Sequence, residues 1–417
     1  MQKILFFIYP TLLLFSVHCA RREDPIAVIC VWIVPFLYFF YLKNFIPTIS
    51  FRMIFLYSVF LRLLMLGSQP IWSDDIYRYL WDGLLLQSGV SPYLAPPNLV
   101  FISELSSGNE AEYYLKNMNS AGFLSVYPAV LQSVFYFVAI VQTMFSHPFL
   151  ITQCIFVLIE MVTMALIPKI LPNQNSGQYW LYFGNPIVIV EGVSQMHPEV
   201  LFVFLLALSI KFKNYKNLFL FLLIQCKITG LVFVFNLFKT NKVKFFVFLF
   251  LTIIVLVLTV FQNFLFQLEK GFGLFFHSFR YGGILEPGFY YPLSLLKLEY
   301  LSGIFSLGFA FTLLLYLFLK KKVWEDVDWF FVSYFIYLLF TPVFHLWYNI
   351  PLYFLVLFAP QYERIVLALT FLSLFSYFLY SHPSWEFYRV SLVFFVLGVY
   401  GKKIYNHICK TASPWFR

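Results

Sequence analysis

Charged residues are scarce in this sequence, and their scarcity excludes an ordinary water-soluble protein. Only 11% of the 417 residues are Asp, Glu, Lys or Arg, whereas 61% are hydrophobic. Soluble globular proteins carry about 25% charged and about 45–50% apolar residues. Apolar runs near the length that crosses a bilayer, about 20 residues, recur from one end of the chain to the other. The composition therefore predicts an all-α polytopic membrane protein.

Cysteine is also scarce, and the five cysteines are scattered, mostly within apolar runs. They show no zinc or haem spacing and no disulfide framework, so we expect no metal site and no cofactor. The formal charge of +9 collects in short lysine clusters, such as those at 211–216, 239–244 and 320–322. Such clusters are typical of cytoplasmic loops, so the basic excess does not indicate a nucleic-acid partner.

The apolar runs predict a single integral-membrane domain, 1–417, with about 11–13 transmembrane helices. Residues 1–50 form extra N-terminal helices, 51–298 a core with outer loops 67–124 and 267–298, and 299–417 the C-terminal helices. The first run, which ends at Val17, is a signal peptide or an uncleaved helix, and His18 favours the helix. Between 125 and 211 one crossing stays unassigned. The run 217–238 is interrupted by Lys227 and Gly230, which indicates a re-entrant hairpin.

One charged passage stands out directly after the third apolar run. On a helix from 73 to 87, about one third of the circumference carries Asp75, Arg78, Tyr79 and Asp82. The opposite side is apolar, and Ser73 or Asp74 suits the N-cap. An ordinary amphipathic surface helix explains this pattern. However, paired carboxylates at a membrane edge are costly unless they are used. We therefore predict an interfacial helix whose charged face is functional and whose apolar side faces lipid.

This passage, Asp74 to Gly83 followed by Gly89-Val90-Ser91-Pro92-Tyr93, resembles the first outer loop of GT-C superfamily integral-membrane glycosyltransferases. It is most similar to bacterial polyprenyl-phosphate-mannose-dependent mannosyltransferases. Tyr127-Pro128 resembles their Tyr-Pro-Pro, with Ala129 in place of the second Pro. Residues 185–199 resemble their Asn-Pro-Leu segment followed by Gly-His-Asn-Asp, with Met196 and Pro198-Glu199 as departures. The resemblance covers roughly 51–238 and implies a GT-C-type bundle whose catalytic core is 51–298.

The resemblance implies inverting transfer of a sugar, mannose by nearest similarity, from a polyprenyl-phosphate donor to a glycan, lipid or protein acceptor. The acidic residue after an early transmembrane helix is the base in that superfamily, which corresponds to Asp75, with Asp74 as the adjacent alternative. We expect the active site on the outer, periplasmic side of the inner (plasma) membrane, among membrane lipids. Asp74, Asp75 and Asp82 could bind a divalent ion, but Arg78 offsets their charge, so no metal is predicted.

Sugar transfer from a lipid phosphate also needs positive charge or hydrogen-bond donors at the departing phosphate. The outer-side residues that could supply them are Arg78, Lys227, His197, Arg280 and His345. We further expect substrate contacts from Tyr79, Asp82, Tyr127 and Glu199. The aromatic residues beside His345, which include Trp347 and Tyr348, are expected to anchor the chain at the membrane interface. Glu160 lies within an apolar run and has no assigned role.

Two other interpretations stay open. A transporter or flippase of lipid-linked sugars would also use intramembrane charges and broken helices. Repeated halves with matching breaks are typical of transporters, and the two halves of this sequence do not match. A degenerate scaffold that keeps the fold without the activity is the third interpretation, because Ala129 and Glu199 depart from the motifs. Release of free polyprenyl phosphate distinguishes transfer from transport.

Overall fold

The computed structural model describes residues 2–19, 24–105, 108–145, 147–172, 174–238, 242–320, 326–381, 383–386 and 388–393. Parts of the lysine clusters at 239–244 and 320–322 lie outside these residues. A further lysine cluster at 402–410, Cys409, His382 and most of the apolar run 390–400 also lie outside them. The described part is helical, with isolated bridges from Tyr281 and Gly282 to Val343. The predicted all-α class is confirmed.

Twenty α-helices follow one another in the described part of the chain, with short 3₁₀ segments and one π-helical segment, Val190–Ser194, between some of them. They are α1 (Gln2–His18), α2 (Pro25–Lys43), α3 (Phe51–Leu63), α4 (Asp75–Gln87), α5 (Gly108–Asn117), α6 (Ala129–Gln142), α7 (Pro148–Ile170), α8 (Ser176–Phe183), α9 (Pro186–Ile189), α10 (Glu199–Lys211), α11 (Lys216–Cys226), α12 (Val234–Phe238), α13 (Lys242–Leu258), α14 (Phe264–Lys270), α15 (Leu274–His277), α16 (Pro287–Leu295), α17 (Ser302–Lys320), α18 (Asp326–Phe340), α19 (Ile350–Val356) and α20 (Glu363–Ser381).

Two helical stretches in the described residues, Pro148–Ile170 and Glu299–Lys320, are long and apolar enough to cross a membrane. A third is added if Pro186–Ser194 and Glu199–Lys211, which meet at a bend of 114°, form one broken span. Shorter apolar helices include Ala129–Gln142 and Val243–Leu258. These helices agree with a polytopic membrane protein, while the predicted number of 11–13 crossings stays a prediction. The segment 267–298, predicted as the second outer loop, contains α15 and α16.

Helix α4 forms where it was predicted, but its apolar side does not face lipid. Ile76 and Trp81 are completely buried, and α4 packs against α5 and α6. Gly83 permits this packing, since a Cβ atom there would lie 2.4 Å from the carbonyl oxygen of Phe135 in α6. The prediction of a lipid-facing side is therefore wrong. Two flanking helices cover that side, and periodicity alone cannot distinguish lipid from protein as the apolar neighbour.

Arg78 and Asp82 hold α4 to the loop that precedes α6. Arg78 Nε donates to Asp82 Oδ1 at 2.7 Å, and Arg78 Nη1 donates to the Phe123 carbonyl oxygen at 2.7 Å. Asp82 Oδ2 accepts from the Ser125 hydroxyl at 2.5 Å and from Gln132 Nε2 at 2.9 Å. The i,i+4 ion pair is thus buried and branched rather than solvated. These contacts fix the position of α4.

The start of α4 separates the two adjacent carboxylates. Asp74 occupies the N-cap position, but its side chain makes no capping hydrogen bond and accepts instead from Asn119 Nδ2 at 3.0 Å. The Ser73 hydroxyl accepts from the Asp75 backbone N–H at 3.3 Å. Of the two predicted caps, Ser73 therefore makes the local bond, because the loop residue Asn119 engages Asp74.

Glu160, which the sequence left without a role, belongs to a buried network of polar side chains. Arg62 Nη2 donates to Glu160 Oε2 at 2.8 Å, and both side chains are completely buried. The Tyr182 hydroxyl donates to Glu160 Oε1 at 2.6 Å, while Arg62 Nη1 donates to the Phe183 carbonyl oxygen at 2.8 Å. A buried ion pair needs such additional bonds to offset its desolvation. The network joins α3, α7 and α8.

Candidate active site

The chain breaks its helical path between 194 and 199, where the sequence contains the polar insert with His197 and Glu199. Met196 adopts a left-handed backbone conformation, with φ of 59°, and the flanking helices meet at 114°. His197 is completely buried and Glu199 is 1% exposed. The break therefore carries two polar side chains into the interior instead of releasing them to solvent.

A second break lies at Lys227, as the sequence predicted. Helix α11 ends at Cys226, and Lys227 adopts an extended backbone before a 3₁₀ segment begins. The Lys227 ammonium forms an ion pair with Glu199 and lies 4.2 Å from the centre of the Tyr348 ring. Its side chain is 17% exposed, whereas the Glu199 side chain is 1% exposed. Lys227 is therefore the more exposed member of the pair. Whether the segment is a re-entrant hairpin stays a prediction.

Trp347 joins the two histidines. Its ring lies 3.8 Å from that of His197, at 10°, and 4.2 Å from that of His345, at 4°. The Tyr281 ring adds a further layer, 4.7 Å from His345. Trp347 is only 3% exposed, so the prediction that it anchors the membrane interface is wrong. Backbone hydrogen bonds hold the loop before it, since the Tyr281 N–H donates to the Pro342 carbonyl oxygen and the Phe344 N–H donates to the Tyr281 carbonyl oxygen.

His345 lies before α19 and is 8% exposed. Burial, and secondarily the Lys227 charge, lowers the pKa of His345 to about 3. Its imidazole is therefore neutral at neutral pH. Nδ1 of His345 is buried and has no hydrogen-bond partner among the described residues.

Asp75, the predicted base, lies at the first turn of α4 and is partly exposed. Its charge acts on Tyr79, Tyr127 and Tyr348. The Lys227 ammonium lies over the ring of this same Tyr348, so Asp75 and Lys227 lie in one region of the structure. Tyr79 is buried, stacked on the Phe135 ring at 4.7 Å and edge-on to Tyr127 at 5.0 Å. The site thus combines a partly exposed carboxylate and a partly exposed ammonium with the two buried imidazoles of His197 and His345.

Several buried polar atoms in this cluster have no hydrogen-bond partner in the described part of the chain. They are both ring nitrogens of His197, Nδ1 of His345, Oε2 of Glu199 and Oε2 of Glu191. Buried polar atoms are normally bonded, so each exception calls for an explanation. Their concentration at one place is typical of a site completed by water or by a bound ligand.

The other predicted residues do not join this cluster through their contacts. Both oxygens of Asp82 are bonded within the protein, so its expected substrate contact gains no support. Arg78 is held by Asp82, although its buried Nη2 has no partner among the described residues. Arg280 pairs through two 2.8 Å bonds with Glu286 and lies 3.3 Å above the Tyr290 ring. For these residues and for Asp74, a contact with substrate stays a prediction.

The sequence did not indicate Glu191 or Trp347 as site residues, nor Tyr377, whose hydroxyl donates to Glu191 Oε1. Glu191 lies in the same polar insert as His197, which was the available signal. Trp347 and Tyr377 lie in aromatic-rich runs. Because 23% of the chain is Phe, Trp or Tyr, the sequence does not distinguish one functional aromatic residue from the others. Their roles depend on contacts between residues far apart in the chain, which one sequence does not reveal.

One cavity in the fold lies outside this cluster. A cavity of about 500 Å³ at the opposite end of α4 is lined by Leu84, Gln87 and Gln142 among others, away from Asp75. Because it brings together no charged pair and no unpartnered imidazole, we place the site at the polar cluster instead.

In the described residues, no group of three or more His, Cys, Asp or Glu side chains is arranged to hold a metal ion.

Comparison with known proteins identifies a family for this chain. The family model described as alpha-(1->6)-mannopyranosyltransferase, N-terminal domain, matches residues 49–259, which is about half of the chain. No curated protein and no solved structure matches the chain. The matched region contains Asp75, His197, Glu199 and Lys227, while His345 and Trp347 lie beyond it. The chain therefore belongs to the α-(1→6)-mannopyranosyltransferase family and is a membrane-embedded glycosyltransferase of the mannosyl-transferring kind.

Proposed function

We propose that the protein transfers mannose from a polyprenyl-phosphate donor to a glycan, lipid or protein acceptor, with inversion at the anomeric carbon. The reaction would take place at the outer face of the inner membrane in a GT-C-type bundle. The observation that supports this most is the meeting of Asp75, Lys227 and His345 from three distant parts of the chain. A carboxylate and a cation in the same region, around Tyr348, match the two charges that the reaction develops.

Asp75 is the proposed general base. Its partial exposure at the first turn of α4 leaves the carboxylate accessible to an acceptor hydroxyl. In an inverting displacement the base takes the proton of that hydroxyl while the oxygen attacks the anomeric carbon. The packing of α4 between α5 and α6 supports this role, because a rigid support keeps the carboxylate in place.

Lys227 is the proposed ligand of the departing phosphate, assisted by His345. Glu199 holds the ammonium in place, and one of its oxygens, Oε2, has no partner among the described residues. A lipid phosphate would give Lys227 a second anionic partner and give His345 Nδ1 an acceptor. Donors aimed at developing charge in a site shielded from water stabilise the transition state strongly.

The experiment that tests this function uses purified protein, polyprenyl-phosphate mannose and a short α-(1→6)-linked mannose oligosaccharide. We expect a longer oligosaccharide and free polyprenyl phosphate in equal amounts. NMR of the product should show an anomeric configuration opposite to that of the donor. Donor that crosses the bilayer of reconstituted vesicles intact, without phosphate release, would instead indicate a flippase. Retention of configuration would contradict the single displacement.

A further inference from the structure

Two cavities lie one after the other along α4 and α5, and neither belongs to the proposed catalytic cluster. The first is the cavity of about 500 Å³ at the Gln87 end of α4. The second is also about 500 Å³ and lies between Tyr113 of α5, Gln69 and the start of α7. Glu110 of α5 lines both cavities, so they adjoin. Sites for small ligands typically occupy about 300–1,000 Å³, so each cavity has the size of a ligand site.

Contacts between α5 and α4 show in which direction the cavities extend. At the start of α4, Asn119 Nδ2 donates to Asp74 Oδ1 at 3.0 Å. One turn further along α4, the Tyr113 ring lies edge-on to that of Tyr77, with 5.8 Å between the ring centres. The cavities continue from there to the last turn of α4, about 18 Å from its first turn at 1.5 Å per residue. They therefore lead away from the proposed base.

Side-chain amides line both cavities. Gln87 and Gln142 line the first cavity, and the amide oxygen of each is buried without a hydrogen-bond partner among the described residues. Gln69, Asn109 and the exposed His147 line the second cavity. An amide both donates and accepts hydrogen bonds, and an imidazole can do either. These groups match the hydroxyl groups of a sugar, which also donate and accept.

The charge of the lining distinguishes a sugar from a phosphate. Glu110 supplies a carboxylate, and no lysine or arginine among the described residues lines either cavity. None of the described lysines and arginines forms an ion pair with Glu110. A lipid phosphate placed here would meet a like charge and no cation. A sugar hydroxyl can instead donate a charge-assisted hydrogen bond to the carboxylate.

An exposed aromatic ring and a fixed frame complete the cavities. Tyr113 is 49% exposed, so its ring is available to a ligand. The negative face of an aromatic ring attracts the C–H groups of a sugar ring. Beside the first cavity, Gln142 Nε2 donates to the buried Tyr114 hydroxyl at 2.7 Å, which joins α6 to α5. Such a preorganised frame lowers the entropic cost of binding.

From these observations, and resting on the proposed function, we propose that the two cavities form an acceptor subsite for a neutral glycan. The reacting hydroxyl of the glycan lies at Asp75, and the sugar units behind it occupy the cavities along α4 and α5. This subsite selects a glycan among the three classes of acceptor. A lipid acceptor would place its acyl chains against amides and a carboxylate, where their burial leaves polar groups unpaired.

The test compares an α-(1→6)-linked mannose disaccharide with the corresponding hexasaccharide. Equilibrium binding of each to the purified protein gives Kd without any need for transfer, and each also serves as acceptor for a KM. The unaltered protein should bind the hexasaccharide about 10-fold more tightly or better, since only the longer glycan reaches the first cavity and gains its hydrogen bonds.

Glu110→Gln keeps the size of the side chain but removes the charged acceptor. It should weaken hexasaccharide binding by about 5–10-fold and leave the KM of the donor unchanged. Glu112→Gln is the matched control, because Glu112 is an exposed acid of the same helix that lines neither cavity, and it should leave both constants unchanged. Thr143→Trp, at an exposed position that lines the first cavity, should remove the advantage of the hexasaccharide by filling that cavity.

The outcomes separate this subsite from the proposed function. Equal binding of the two glycans by the unaltered protein, or a changed KM of the donor instead of glycan binding in Glu110→Gln, would overturn the subsite. If mannose is still transferred in that case, the proposed function stands without it. Length-dependent glycan binding that Glu110→Gln and Thr143→Trp weaken, without any transfer by the unaltered protein, would uphold the glycan site and contradict the proposed function.

Discussion

Lowering the pH should destabilise this protein through His345, because burial and the Lys227 charge keep its imidazole neutral in the folded state. The folded-state pKa is about 3, whereas an unfolded histidine titrates near 6.5. As pH falls below about 6.5, the unfolded chain binds a proton at His345 that the folded protein does not bind. Stability is therefore lost on acidification and is unaffected by His345 above that pH.

The magnitude follows from the distance between the assay pH and the unfolded pKa. At pH 5 this distance is about 1.5 units, and each unit corresponds to about 1.4 kcal/mol, so His345 should cost about 2 kcal/mol relative to pH 8. The value depends little on the folded pKa as long as it stays well below 5. Other groups titrate over the same range, so the comparison must be made with a protein that lacks only this imidazole.

The assay is unfolding in detergent micelles at pH 8, 6.5 and 5, for the unaltered protein and for His345→Gln. The unaltered protein should lose about 2 kcal/mol more than the variant between pH 8 and pH 5. Groups shared by both proteins cancel in this difference. An identical pH dependence would show that His345 is protonated in the folded state, which would refute the neutral imidazole.

Three further predictions concern the packing and the charges around the site. Gly83→Ala should destabilise the protein by about 1–3 kcal/mol through overpacking against the Phe135 carbonyl oxygen. Gly122→Ala, whose Cβ would meet no atom within 4 Å, serves as the control, and equal unfolding curves for the two would contradict the close approach of α4 and α6. Arg62→Met leaves the Glu160 carboxylate buried without its cation and should cost about 3–5 kcal/mol in unfolding free energy. The double variant Arg62→Met with Glu160→Gln should regain part of that loss, and no recovery would argue against the pair. Lys227→Met should lower kcat by about 100-fold or more, measured by mannose transfer at saturating donor. A kcat within a few-fold of that of the unaltered protein would contradict the proposed role of Lys227 at the departing phosphate.

The sequence predicted those parts of the site that depend on local pattern. Asp75 begins a helix, the insert around His197 breaks one, and Lys227 ends one, and each of these follows from residues close together in the chain. The helix face with Arg78 and Asp82 was also predicted. Its use was not, because Ser125 and Gln132, which bond Asp82, belong to another segment.

The remaining features depend on contacts between residues that are distant in the chain, and a single sequence does not reveal such contacts. Trp347 has the residue type and the aromatic neighbours of an interface anchor, but in the fold its ring lies between two imidazoles. In a chain this rich in aromatic residues, a helix side that faces lipid and one that faces other helices show the same pattern of apolar residues in the sequence. For the same reason the apolar side of α4 was assigned to lipid. Glu191 accepts a hydrogen bond from Tyr377, which lies far along the chain, so the sequence did not reveal this contact.

The central claim is that Asp75 is the base of mannose transfer, and its neighbour offers a matched control. Asp75→Asn and Asp74→Asn remove the same charge one residue apart, and the structure places Asp74 against Asn119. Transfer from polyprenyl-phosphate mannose to the oligosaccharide should be lost in Asp75→Asn and largely kept in Asp74→Asn, with both proteins folded by their unfolding curves. Near-normal transfer by Asp75→Asn, or loss confined to Asp74→Asn, would contradict the account.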